Sequence, residues 1–287
     1  MSAIGTEALP HTNIASICWG NVHLRNYWQA TDGTIRETQW DGSWTGGASR
    51  NVITAAKLTT PLAAIQWGDA SQIRVYYLDN DNIIQEYCYS SGWTLGSLGQ
   101  SKIKADPNSK LAAIVWGGPN IRLYYQKPND PAIQELCWGP SGWSAGSTLP
   151  AACNGSSLAA IYWDNHIRVY YQTLDLQLRE HCWDGKWAVG GFNYTAPFGT
   201  PLAAITWTNQ PQIRVYWANN SNQLVEGAWS GKWNNPTVLT DIIPNSSLSA
   251  ICWDNIKIRV YFQSVGYIVQ EWAWGNGWAK GATIPTK

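Results

Sequence analysis

Leu158-Ala-Ala-Ile-Tyr-Trp163, His166-Ile-Arg-Val-Tyr-Tyr-Gln172 and Arg179-Glu-His-Cys-Trp-Asp-Gly-Lys-Trp187 are three segments of one unit that recurs along the chain. The first segment returns at Leu62, Leu111 and Leu202, and in variant form at Ile14 and Leu248. The second carries Arg25, Arg74, Arg122, Arg168, Arg214 and Arg259, and the third carries Glu37, Glu86, Glu135, Glu180, Glu226 and Glu271. Seven or eight residues after each glutamate stands a tryptophan: Trp44, Trp93, Trp143, Trp187, Trp233 and Trp278. The arginine-to-arginine steps are 49, 48, 46, 46 and 45 residues, so six copies of about 46 residues fill the chain.

Each copy reads as short strands, with alternating apolar and polar residues separated by Gly, Asn, Asp, Ser and Pro clusters. No stretch keeps helical periodicity over three turns. A period of this length with several strands per unit is the signature of a β-propeller. One small sheet cannot bury both faces alone, whereas a ring of sheets buries each face against a neighbour. The expected fold is all-β: a six-bladed β-propeller of small antiparallel sheets, one domain over residues 1–287. The blades fall at roughly 14–61, 62–110, 111–157, 158–201, 202–247 and 248–287. In the second blade the predicted strands are 62–67, 73–78, 84–89 and an edge strand after Trp93. Residues 1–13 precede the first repeat and are expected to supply an edge strand that closes the last blade.

Composition narrows the function. Of 287 residues only 13% are charged, with 19 Lys and Arg against 19 Asp and Glu. That balance excludes generic nucleic-acid or membrane-surface binding, which needs a basic face. No stretch is long and apolar enough for a membrane span, and residues 1–10 lack a secretory signal pattern. The expected location is therefore cytoplasmic, or the cell or spore surface by non-classical export. The sequons at Asn154, Asn193, Asn219 and Asn245 are then expected to be unused. The six cysteines are expected to be reduced thiols, because equivalent positions of different repeats should lie far apart. The chain has 20 Trp and 14 Tyr but 3 Phe. Indole and phenol rings carry a polar group as well as an apolar face, which suits a ligand surface.

Arg74 and Glu86 lie 12 residues apart about the turn-forming run Asp79-Asn80-Asp81-Asn82, which places them near opposite on adjacent strands. The third copy has 13 between Arg122 and Glu135, and the extra residue must sit in its turn or in a bulge. An ion pair that merely stiffens each blade would add little stability. A charge-poor chain nevertheless places 12 of its 38 charged residues here. Beside each pair stand two aromatics, the tryptophan above and Trp40, Tyr89, Trp138, Trp183, Trp229 or Trp274. A carboxylate accepts from sugar hydroxyls, a guanidinium donates fixed hydrogen bonds, and an indole packs on pyranose C–H groups. The set suits a neutral sugar, since the glutamate repels acidic ones. The tryptophans Trp19, Trp67, Trp116, Trp163, Trp207 and Trp253, in the most apolar strand, are assigned to core packing.

These three segments resemble the fungal fucose-specific lectins of the Aleuria type over essentially the whole chain. Short two-repeat bacterial lectins of the Ralstonia type are relatives. The resemblance implies a six-bladed propeller that binds L-fucose on fucosylated glycans, forms homodimers, uses no metal or other cofactor and catalyses nothing. It implies pockets in which the Arg and Glu of one blade face the two aromatics of the following blade. The first pocket then joins Arg25 and Glu37 to Tyr89 and Trp93, and the second joins Arg74 and Glu86 to Trp138 and Trp143. The third joins Arg122 and Glu135 to Trp183 and Trp187, and the fourth Arg168 and Glu180 to Trp229 and Trp233. The fifth joins Arg214 and Glu226 to Trp274 and Trp278, and the sixth Arg259 and Glu271 to Trp40 and Trp44. All six pairs are present, so six competent sites are expected. In the family a Gly-containing run after the tryptophan approaches the sugar. The fifth copy reads Asn234-Asn-Pro-Thr237 there, which singles out the fifth pocket.

Two other readings compete. A propeller glycoside hydrolase would need two carboxylates flanking one bond, and each copy offers one, whose pKa the arginine is expected to lower. A protein-interaction scaffold has no reason to repeat an Arg–Glu–Trp set. A few charged hydrogen bonds plus stacking, less the entropy of binding, correspond to roughly 10 µM to 1 mM per site. Linked sites then gain about 10²–10⁴-fold by avidity.

Overall fold

A computed structural model describes residues 7–20, 22–207, 211–254 and 256–286. Among them lie six sheets, each formed by one contiguous stretch of chain in simple antiparallel order. The fourth sheet is the plainest: Ala159–Trp163, His166–Gln172, Gln177–Trp183 and Trp187–Thr195, from inner to outer strand. In the second the strands are Ala63–Trp67, Gln72–Leu78, Ile84–Tyr89 and Trp93–Leu95. The inner strands stand side by side round an axis, and the first, Ile14–Trp19, meets the last, Ser249–Trp253. The chain is a six-bladed β-propeller.

The core is divided. Six apolar clusters each draw on two successive blades, the last joining Leu24 and Trp28 of the first blade to Ile251, Tyr261 and Val269 of the sixth. The alternation along each strand explains this: Val169 and Tyr171 face the third blade, and Tyr170 faces the fifth. Sheets without covering helices can bury both faces only this way.

The connectors between blades carry a device that sequence reading overlooked. Thr12, Thr60, Ser109, Ser156, Thr200 and Ser246 are all buried. Each hydroxyl accepts the backbone N–H at the end of a second strand, those of Gln29, Leu78, Gln126, Gln172, Ala218 and Gln263, at 2.7–3.0 Å. A buried N–H that lacks such a partner is costly.

Residues 1–6 of the expected edge strand lie outside the described residues. The outer strand of the last blade is Trp278–Thr283, so no strand is borrowed from residues 7–13. Glu7–Leu9 instead lies across the closing seam. Glu7 N donates to Thr286 O, Leu9 N donates to Gln29 O, and Ala8 bridges Ala30. Each blade completes its own sheet, which leaves this segment to join the chain ends. The cysteines are free, but those of the first and last repeats are not far apart. Cys18 Sγ donates to Cys252 O at 3.2 Å, because a ring makes first and last blades neighbours.

Ser156→Ala leaves the Gln172 N–H unpaired in the interior. It should cost about 1–3 kcal/mol and lower Tm by several degrees in scanning calorimetry. An unchanged Tm would contradict the role given to these hydroxyls.

Candidate functional site

The register of the second and third strands sets the chemistry. Tyr76 stands opposite Glu86 and Arg74 opposite Cys88, so arginine and glutamate are diagonal neighbours rather than opposite. The third blade keeps this register, Tyr124 to Glu135 and Arg122 to Cys137. Its extra residue is absorbed in the turn that holds Pro128 and Pro131.

The diagonal contacts are loose. Arg Nε lies 3.9, 3.8, 3.7, 3.9 and 3.3 Å from the carboxylate of Glu37, Glu86, Glu135, Glu226 and Glu271. The tight partner is tyrosine. Tyr27, Tyr76, Tyr124, Tyr216 and Tyr261 are buried and donate to those same carboxylates at 2.8–3.1 Å. Glu180 instead accepts from Phe192 N at 3.0 Å and from Trp233 Nε1 of the next blade at 3.3 Å. The expected lowering of the glutamate pKa is not what the geometry gives. Burial pushes Glu37, Glu86 and Glu226 up, more than their Tyr and Arg neighbours pull them down.

The strand-one tryptophans pack against the six core clusters, as expected, and have a second role. Each is half-buried. The guanidinium carbon of Arg25, Arg74, Arg122, Arg168, Arg214 and Arg259 lies 4.6–4.9 Å from the ring centre of Trp19, Trp67, Trp116, Trp163, Trp207 and Trp253. Six indoles thus seat six guanidinium groups by cation–π contact. Both missed residue types were visible as six-fold repeats, Tyr two residues after each Arg and Trp six or so before it.

Arg and Glu meet the aromatics of the following blade. At the third seam Arg122, Glu135 and Ser147 face Tyr162, Trp183 and Trp187 round a cavity of about 190 Å³, and Trp187 Nε1 donates to Ser147 Oγ at 2.9 Å. At the second, Arg74, Glu86 and Gly96 face Trp138 round about 150 Å³, and Trp143 packs edge-on against Tyr76 at 6.1 Å. The same edge contact joins Trp93 to Tyr27, Trp233 to Tyr170, Trp278 to Tyr216 and Trp44 to Tyr261 at 6.1–6.4 Å. Tyr89, Trp229, Trp274 and Trp40 lie 5.5–5.7 Å from those same tryptophans. A larger hollow of about 500 Å³ opens near the axis among Lys110, Ser157, Asn245 and the connectors. It holds none of the repeated Arg, Glu or Trp side chains, so it is not the candidate site.

Two features make the pockets unequal. The outer strand passes so close that a Cβ on Gly96, Gly146, Gly190 or Gly281 would lie 2.2–2.4 Å from Glu86, Glu135, Glu180 or Glu271. Backbone N–H groups just beyond reach three of these carboxylates, from Ser147, Phe192 and Ala282 at 3.0–3.3 Å. The fifth blade has Asn234-Asn-Pro there, and Asn234 Oδ1 accepts from Ala228 N instead. Glu226 is 14% exposed and Glu37 17%, against 6, 6 and 8% for Glu86, Glu135 and Glu271. The second feature is at the rim. In the first and fourth blades a turn aspartate grips the arginine and a histidine: Asp41 with Arg25 and His23, Asp184 with Arg168 and His166. Burial opposes ionisation of both aspartates, yet these donors hold them below the usual carboxylate value. No group of three or more metal-ligating side chains occurs among the described residues.

With this geometry in place, comparison with known proteins is informative. Residues 8–286 match the family model described as fungal fucose-specific lectin. A fucose-specific lectin of Aleuria aurantia is 43% identical over 98% of this chain and 97% of its own length. One of Aspergillus oryzae is 34% identical over 94% and 93%. The solved structure of a mutant of the Aleuria aurantia lectin in complex with alpha-methyl-L-fucoside superposes with a TM-score of 0.93 at 43% identity, covering 98% of this chain and 97% of that one.

Carbon-13 detection of the glutamate carboxyls over a pH titration should place Glu37, Glu86 and Glu226 above the ordinary value of 4.5. Ionising them in the folded state is disfavoured. Their contribution to stability is thus full below the ordinary value and falls as pH rises through the raised one. Midpoints at or below 4.5 would mean that the arginines outweigh burial.

Proposed function

The chain belongs to the fungal fucose-specific lectin family, and from that premise we propose that it is a multivalent lectin that binds L-fucose on fucosylated glycans in its inter-blade pockets. The observation that carries the reading is the third seam. There a guanidinium and a carboxylate from one blade and two indoles from the next converge on one cavity of about 190 Å³. That volume is smaller than a drug-sized site and suits a single sugar ring. In the proposed complex Glu135 accepts from sugar hydroxyls, and Arg122 donates from Nε and Nη2. Trp183 or Trp187 covers an apolar C–H patch. The tyrosine holds the carboxylate in place, and the strand-one indole holds the guanidinium, so little side-chain freedom is lost on binding. The fifth pocket is the weakest of the six, since Asn234-Asn-Pro replaces the glycine that the other five blades carry two or three residues after the tryptophan, at Gly46, Gly96, Gly146, Gly190 and Gly281. A homodimer, which doubles the number of pockets on one particle, belongs to the same proposal.

A hydrolase reading keeps one point in its favour, because burial makes a raised glutamate a better general acid. It still needs a second, free carboxylate across the bond. Where an aspartate stands nearby, as in the first and fourth blades, it is held by arginine and histidine. A binding protein that releases no product from a chromogenic fucoside is the expected outcome.

Double substitutions test both the ligand and the seam. Calorimetric titration with methyl-α-L-fucoside should show one pocket lost in Arg122→Ala/Trp187→Ala, because both residues line the third. Arg168→Ala/Trp187→Ala should lose two, the third and the fourth. Two lost in the first variant and one in the second would mean that each pocket draws on a single blade. Absence of heat from wild-type protein at millimolar fucoside would refute the lectin reading.

A further inference from the structure

The aspartates at the rim occupy the place of an external anion. Asp41 meets Arg25 end-on, with Oδ1 and Oδ2 each 3.0 Å from Nη1 and Nη2. Asp184 meets Arg168 the same way at 2.7 and 3.1 Å. This fork is the geometry in which guanidinium holds a free carboxylate or sulfate. In the first and fourth pockets it is already filled, by carboxylates that remain 38 and 46% exposed. Asp69 of the following blade stands by the same rim of the first pocket, near Gly20 and His23.

The sixth pocket is the reverse. Arg259 Nη1 is turned to the carbonyls of Ile258 and Trp274, and no protein acceptor meets Nη2 among the described residues. Gly275 stands where the first and fourth blades have Asp41 and Asp184, which leaves the fork open. Lys257, two residues before Arg259 and so on the same face of the strand, lies with Nζ 3.8 Å from the place a Cβ on Gly275 would occupy. Two blades thus carry a carboxylate at this rim, whereas the sixth has a glycine in its place and an ammonium close by, from Lys257 at the position of His23 and His166.

We propose that these rim positions sort the pockets by ligand charge. The first and fourth admit neutral fucosylated glycans and turn away those with a carboxylate or sulfate on the sugar joined to the fucose. The sixth takes such anionic glycans on Arg259 and Lys257. The inference rests on the fucose reading of the pockets and adds the class of ligand that each accepts.

Native mass spectrometry with two probes tests it: methyl-α-L-fucoside, and a fucosyl-disaccharide sulfated on the sugar joined to the fucose. The sulfated probe should fill two fewer pockets than the neutral one. Asp41→Asn with Asp184→Asn should restore both. Lys257→Gln should weaken the tightest sulfated binding by about two- to fivefold, the range of an exposed charge pair, and leave the neutral probe unchanged. Raised salt should erase the difference between the probes. Equal numbers of filled pockets in the wild type, or an unchanged deficit in the double asparagine variant, would overturn the proposal. Failure of methyl-α-L-fucoside itself to bind would overturn the fucose reading and this inference with it.

Discussion

The seam between neighbouring blades is the constraint on which everything else depends. Each sheet has two apolar faces and no helix to cover either, so each core is shared by two blades. The candidate pockets open at the edges of those cores and inherit the division. A carboxylate from one blade and an indole from the next reach one point only where two blades pack together, and the sixth pocket, between the last blade and the first, forms only if the ring is closed. Function here is therefore a property of the ring, and the Glu7–Leu9 segment that joins its ends bears on the sixth pocket as much as on stability.

Burial of a carboxylate at such a seam is expensive unless it is hydrogen-bonded. The structure answers with a tyrosine from the adjacent strand and, in most blades, a backbone close enough to demand glycine. The arginine is seated separately on its indole. Neither charge relies mainly on the other, which explains Arg–Glu distances near the limit of an ion pair. Both groups keep unused hydrogen-bonding capacity. That is what distinguishes a recognition pair from a structural one. The shared scaffold leaves the rim residues free to vary, and they differ from blade to blade.

Much of this was legible in the sequence because repetition exposes it. The six units, the strand order and the union of Arg122 with Trp187 across a seam all follow from spacing and resemblance. What escaped has physical reasons. Equal spacing suggested that Arg74 and Glu86 face each other, but the turn centres one residue later and brings Tyr76 opposite Glu86. Trp163 packs against the core as its apolar strand suggests, but at the strand end it also seats Arg168, a contact that the strand's composition does not reveal. The pKa direction of Glu86 was misjudged because a charge partner is readable in sequence while burial is not. The hydroxyls of Thr60 and Ser156 sit in connectors that read simply as loops, where only the fold reveals which N–H each one meets.

A crystal structure with methyl-α-L-fucoside tests the central claim most directly. The account predicts sugar density at the seams, with a hydroxyl on the glutamate, the guanidinium beside it and an indole of the following blade against the ring. The fifth seam should be the last to fill. Sugar in the axial hollow near Lys110, or held by residues of a single blade, would contradict it.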